Sequence, residues 1–192
     1  MGESITTNIY MIRHAESPFI HGEERTRKLS KDGELDAEKV AKLMLSEKID
    51  VIVSSPFARS IQTIEPIATT RNLEIELYEE LKERIIKGNY KLPWEEVEPA
   101  IKKSFEDKDY CLPGGETTRQ AQQRAVPIIK LLLKDFEGKS IVIGTHGNIM
   151  TAIMNYFNGN YGYDFWASTS KPDIYKLIFV DGVLTDVKRI WE

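Results

Sequence analysis

The chain has 192 residues, 41% hydrophobic and 29% charged, ordinary values for a folded globular protein that exclude disordered and collagen-like classes. Its 30 acidic and 26 basic side chains leave a formal net charge of −4, which argues against a general nucleic-acid binder but leaves room for a local arginine cluster on an anionic substrate. One cysteine, Cys111, builds neither a disulfide framework nor a cysteine metal site; no apolar run reaches the ~18 residues of a membrane span, and no signal-peptide pattern opens the chain, so no membrane partner and a cytoplasmic location are expected.

The elements follow from hydrophobic patterning. Asn8 to Arg13 (NIYMIR) is a short apolar run suited to a buried strand. Ser30 caps a helix running to about Glu47, with Leu35, Val40, Leu43 and Met44 at roughly helical spacing. Asp50 to Ser54 (DVIVS) reads as a second buried strand. Ala58 to Thr70 reads as a helix with a kink or restart at Pro66. Glu74 to Tyr78 alternates as a short strand. The stretch from Gly88 to Gly115, rich in proline, charge and aromatics, reads as an excursion with one helix at Trp94 to Glu106. Thr117 to Phe136 is a long helix bent or interrupted at Pro127, Ser140 to Thr145 (SIVIGT) a buried strand, and Asn148 to Phe157 an apolar helix. Ile174 to Val180 and Val183 to Ile190 form a hairpin across Asp181-Gly182, a dipeptide that accepts the positive φ angles of a two-residue turn. Strands alternating with helices predict an α/β fold with a largely parallel sheet covered on both faces, plus an antiparallel strand from the hairpin. No repeat or interdomain linker interrupts this pattern.

Several chemistries fail on spacing. Gly138-Lys139-Ser140 resembles the end of a P-loop, but the required earlier glycine is Leu133 and a strand follows instead of a helix. No nucleophile elbow, zincin motif or dinucleotide fingerprint is present. With only His14, His21 and His146, a histidine-rich metal site is not expected, and no cofactor is implied.

What remains converges on strand ends. His14 follows IYMIR and His146 follows IVIGT; in a parallel sheet such positions lie at the carboxyl ends of strands, where ligands bind. Arg13 precedes His14, and Gly147 after His146 lets backbone approach a ligand. The DVIVSS strand leads to Arg59 at the start of a helix. Arginine meets phosphate oxygens with a planar, permanently charged fork, and helix N-termini add backbone donors. Two arginines, two histidines and helix N-termini at one mouth describe a phosphoryl pocket. Taken singly, each of these residues is as well explained by packing or solvation; four at three strand ends are not.

These residues carry a family resemblance. RHAES (Arg13–Ser17) is similar to the RHG or RHA signature of the histidine phosphatase superfamily, which includes phosphoglycerate mutases. In the family's order follow LSKDGELDA (Leu29–Ala37), SSPFARSIQT (Ser54–Thr63), LKER (Leu81–Arg84), PGGETTRQAQQR (Pro113–Arg124) and GTHGN (Gly144–Asn148). The resemblance spans nearly the whole chain. It implies a three-layer α/β/α sandwich with a mostly parallel mixed sheet, as in phosphoglycerate mutases, and one domain over 1–192 with an insertion or lid segment at about 88–115.

The implied activity is hydrolysis of a small phosphorylated substrate without a metal. His14 is the implied nucleophile, forming a phosphohistidine, and Glu83 the proton donor and later acceptor. Arg13, Arg59 and His146 hold the phosphoryl oxygens, with Ser17 and Gly147 beside them. Arg13, Arg59 and a charged His146 are expected to keep His14 neutral. Glu79, Glu80 and Glu116 compete with Glu83 for the proton-donor role; Glu79 and Glu80 are expected in a solvated loop, and Glu116 at a helix N-terminus. The loop carrying His21, Arg25, Arg27 and Lys28 reads equally as a recognition loop for a second acidic group or as a solvated basic loop beside Glu23 and Glu24. Tyr90, Trp94 and Tyr110 read as a roof over the pocket or as satellite core. A mutase, or a phosphate-binding module without turnover, are the competing readings, and the oligomeric state stays open.

Overall fold

The computed structural model describes residues 2–192. Its core is a six-stranded sheet in the order β3-β2-β4-β1-β5-β6. The strands are β1 (Thr6–Arg13), β2 (Val51–Ser54), β3 (Ile75–Leu77), β4 (Ser140–Thr145), β5 (Asp173–Val180) and β6 (Val183–Arg189). β1, β2, β3 and β4 run parallel, whereas β5 pairs antiparallel with both β1 and β6. The helices are α1 (Lys31–Met44), α2 (Ala58–Arg71), α3 (Trp94–Glu106), α4 (Thr118–Asp135), α5 (Gly147–Phe157) and α6 (Tyr163–Ser168), with one 3-10 turn at Glu79–Leu81.

Side chains alternate across a strand, so each apolar run feeds two cores. Ile9, Met11, Val53, Ile141, Ile143 and Leu177 pack against Ala121, Ile129, Ile149 and Ile153 of α4 and α5. Tyr10, Ile12, Ile52, Val142 and Ile174 pack on the other face against Val40, Met44, Ile64 and Ile67 of α1 and α2. This is the expected three-layer arrangement. Each fully buried aliphatic side chain contributes roughly 1.5–3 kcal/mol, and both faces are filled this way. The Ser30 hydroxyl accepts the Gly33 N–H and caps α1, while Thr117 and Gln120 form a reciprocal capping box on α4.

Several expectations are corrected. Leu35 and Leu43 do not face the core: they are 62% and 40% exposed, and α1 buries Gly33, Ala37, Val40 and Met44 instead. Leu35 stands two residues from Gly33, about 200° round the helix from it. Gly33 is there because a Cβ would lie 2.3 Å from the Glu16 carbonyl oxygen. Pro66 and Pro127 restart nothing; α2 and α4 each run through as one helix. The short α6 and the 3-10 turn have no counterpart in the sequence reading. The hairpin matches it, with φ of 50° at Asp181 and 78° at Gly182.

Candidate active site

The parallel register assembles the site. Arg13 pairs with Thr145, Ser54 with Gly144, and Leu77 with Ser54, so the carboxyl ends of β1, β4, β2 and β3 lie side by side. Backbone bonds extend this order one residue further: His14 N–H donates to Thr145 O and Ser55 N–H to Gly144 O, each at 3.0 Å. His14, Ser55 and His146 therefore leave the sheet at one level, and the chain after β3 reaches Glu83 nearby.

His14 and His146 are buried, with ring centroids 5.2 Å apart in an edge-on arrangement. His14 Nδ1 lies 2.7 Å from the Ala15 carbonyl, a partner that only accepts, so Nδ1 carries the proton. Nε2 is left with its lone pair, toward which Arg59 Nε–H donates at 3.3 Å. Burial, then the Arg59 charge, hold the His14 pKa well below 6.5. His146 Nε2 lies 2.8 Å from Ser55 Oγ. Its pKa is also well below 6.5, first through burial and then through the nearby positive charges, among them Arg59, Arg27 and Arg13. The expectation of a charged His146 is thereby corrected: a fully buried ring beside cations stays neutral.

Arg13 and Arg59 are both buried. Arg13 Nη1 donates to Thr169 Oγ1 at 2.5 Å and to its carbonyl at 3.3 Å. Gly147 is needed beside it, since a Cβ there would lie 2.6 Å from Arg13 Cζ. Among the described residues, Arg13 Nε and His146 Nδ1 are buried without a hydrogen-bond partner. Arg59 donates Nη1 to the Glu24 carbonyl at 2.5 Å and Nη2 to the Glu24 carboxylate. The same carboxylate receives Arg27 Nε at 3.3 Å.

Glu83 comes to the site through the N-terminus of α5. Its Oε1 accepts Ile149 N–H and Arg84 N–H, both at 2.8 Å, and Oε2 accepts Asn148 N–H at 3.2 Å. Its charge acts on Arg13, Arg59 and Lys171 together. The competing carboxylates are engaged elsewhere or turned to solvent. Glu79 is held by Arg25 at 2.6 and 2.7 Å, Glu116 is paired with Arg124 at 2.6 Å, and Glu80 is exposed. Ser17 donates its hydroxyl to the Lys28 carbonyl at 2.8 Å, tying down its own loop. Tyr90 and Tyr110 lie against the Lys87 and Lys103 ammonium groups, and of the three aromatics only Trp94 lines space beside Arg13.

The sequence reading gives no role to Glu24, which it names only as a neighbour of the basic loop, or to Lys171, which acts electrostatically on His14. Arg27 belonged to the basic loop it singled out and acts on both Arg59 and His146. Two cavities are lined in part by these residues, one by Glu24 and Glu83 and the other by Arg13. One of about 670 Å³ is lined by Phe19, Glu24, Phe57, Glu83, Ile85 and Lys87 among others. The second, of about 450 Å³, is lined by Arg13, Trp94, Glu98, Trp166, Thr169 and Lys171 with Ala167. Among the described residues no group of three or more His, Cys, Asp or Glu side chains is placed to hold a metal, and no helix is long and apolar enough to cross a membrane.

Comparison with known proteins identifies the family and the fold. The family model of the histidine phosphatase superfamily (branch 1) matches residues 9–177. No curated protein sequence matches the chain. Among solved structures, mycobacterial glucosyl-3-phosphoglycerate phosphatase is similar at a TM-score of 0.74 with 17% identity, over 94% of this chain and 100% of that one. A mutant phosphoserine phosphatase from Entamoeba histolytica, in complex with phosphoserine, gives 0.75 with 25% identity over 94% and 96% of the two chains. YhfR of Bacillus stearothermophilus gives 0.70 with 22% identity over 93% and 98%. The chain belongs to the histidine phosphatase superfamily, branch 1, and is an enzyme of the phosphatase class.

Proposed function

We propose that this protein is a phosphomonoesterase that works through a phosphohistidine on His14 and takes its positive charge from arginine rather than a metal. The observation that carries this reading is the His14 tautomer. Nδ1–H is committed to Ala15 O, so the Nε2 lone pair faces Arg59 in a pocket that keeps the ring neutral.

The incoming phosphoryl dianion replaces the Glu24 carboxylate on Arg59. Arg59 and Arg13 then hold the oxygens on which negative charge spreads in the transition state. His146 contributes a ring N–H without a charge. Nε2 forms the N–P bond while the P–O bond to the alcohol breaks, and Glu83, which takes up a proton from solvent as the substrate's negative charge arrives, passes that proton to the leaving oxygen. Positive charge developing on the ring is met at Nδ1–H by Ala15 O. In the second half Glu83 takes a proton from water, the water oxygen bonds to phosphorus, the N–P bond breaks and inorganic phosphate leaves. Glu83 Oε2 accepts only one bond, at 3.2 Å, which leaves it free to exchange the proton.

The test is phosphate release from p-nitrophenyl phosphate in EDTA at mildly acidic and neutral pH. Turnover is expected in the wild type and is expected to fall at least ~10³-fold in His14→Ala. Turnover that survives the substitution, or that EDTA abolishes, overturns the reading.

A further inference from the structure

The 450 Å³ cleft beside Arg13 has a chemical character of its own. Its size falls in the ~300–1,000 Å³ range of small-molecule sites. One wall is aromatic: Trp94 from the first turn of α3 and Trp166 from α6 lie with ring centroids 6.3 Å apart and planes inclined at 37°. Trp94 is 53% exposed, an unusual state for a large apolar ring. Glu98 lines the same cleft. Tyr163 Oη donates to it at 2.5 Å, which uses one of the roughly four acceptor sites of a carboxylate. Lys171 lines it as well, with three N–H donors and, among the described residues, no hydrogen bond or ion pair. Arg13 lines the cleft too, so it adjoins a residue that the phosphatase reading places on the phosphoryl group.

These features select among leaving groups. The two indole centroids stand only 6.3 Å apart with inclined planes, which leaves no parallel slot for a planar base between them. A second anionic group would meet Lys171 but also Glu98. A neutral ring carrying several hydroxyls uses every feature: its C–H face lies on Trp94, its hydroxyls donate to Glu98, and they accept from Lys171.

We propose that this cleft binds the sugar ring of a sugar phosphate, placing Trp94, Glu98 and Lys171 as the residues that set substrate preference. The proposal rests on the phosphatase reading above and names the substrate class for it. It also gives the 88–115 segment a purpose, since α3 supplies two of the three residues.

The experiment compares kcat/KM of the full chain for a panel of pentose and hexose phosphates with that for phosphoserine and phosphoethanolamine, which carry no ring. The best sugar phosphate is expected to exceed both by at least about tenfold, the scale of one good aromatic contact. Trp94→Ala and Lys171→Met are each expected to reduce that ratio about tenfold. In parallel, the best-binding sugar phosphate is titrated into His14→Ala, followed by tryptophan fluorescence, and into His14→Ala/Trp94→Ala, with folding of both checked by circular dichroism. A saturable change that weakens about tenfold without Trp94 supports the cleft even if chemistry is absent. Sugar phosphates no better than ring-free esters, or a ratio and titration untouched by Trp94→Ala, overturn it. Absence of His14-dependent turnover on every ester overturns the phosphatase reading instead, and the titration still decides the cleft.

Discussion

The strand-end half of the site and the loop half that closes over it are held by different forces. His14, Ser55 and His146 leave the sheet from paired backbone, and both histidine rings are buried. The segment from Ser17 to Lys28 is held by polar contacts: Ser17 to Lys28 O, Arg27 to Ser17 O at 2.8 Å, Arg25 to Glu79, and Glu24 to Arg59. Arg25 and Glu79 are each about half exposed, and such pairs contribute little. The difference separates chemistry from access. His14, Ser55 and His146 are fixed by register, whereas the carboxylate lying on Arg59 comes from a weakly held loop.

Substitutions in the two halves should therefore differ in kind. The largest effect is expected from Glu83→Gln, which keeps one acceptor oxygen for Ile149 and Arg84, gives up the acceptor for Asn148, and carries no acidic proton to give. Turnover of alkyl phosphates should fall about 10²–10⁴-fold with melting temperature nearly unchanged; an unchanged rate would move the proton donor elsewhere. Next is Gly147→Ala, whose Cβ displaces the Arg13 guanidinium rather than backbone. Activity should drop by about 10²-fold, the scale of an ångström of misplacement, while the protein stays folded. Equal loss of stability and activity would show that Gly147 serves the fold alone.

A third prediction concerns pH. The folded pKa values of His14 and His146 lie below the ordinary 6.5. Below that pH the unfolded chain binds protons that the native state refuses, so stability is complete above about 6.5 and declines as pH falls. The slope is at most about 1.4 kcal/mol per pH unit for each ring. Denaturant midpoints measured from pH 8 to 5 should show it, and His146→Gln should flatten it. A slope unaffected by that change would contradict the buried neutral ring. The smallest effect belongs to the loop. Glu24→Gln should lower KM and the inhibition constant of inorganic phosphate by about three- to five-fold with kcat little changed, since substrate no longer displaces a carboxylate. A rise in KM would make Glu24 an organiser of Arg59 instead.

The same division explains what could be read from the chain. The strands of the sheet, the His14 and His146 positions after them, and Arg13 and Arg59 follow from apolar runs and motifs that are local in sequence. Glu83 was named by resemblance; its place depends on α5 offering free N–H groups, which no pattern near Leu81–Arg84 announces. Glu24 on Arg59 joins residues 35 apart across a loop, and Lys171 lies in the bend that leads into β5, far from His14 in sequence. Neither contact leaves a periodic trace. The charge on His146 was misjudged for a related reason: burial decides it, and burial is a property of the packed fold.

The most direct measurement is a rapid acid-free quench of enzyme mixed with p-nitrophenyl phosphate, followed by detection of alkali-stable, acid-labile phosphohistidine. Glu83→Gln is used to slow the second half, because p-nitrophenol leaves without a donated proton. A p-nitrophenol burst approaching one per enzyme, with the phosphoryl group on His14 and no burst in His14→Ala, is the predicted result. A burst that persists in His14→Ala, or steady hydrolysis with no phosphoenzyme at any time, would contradict the account.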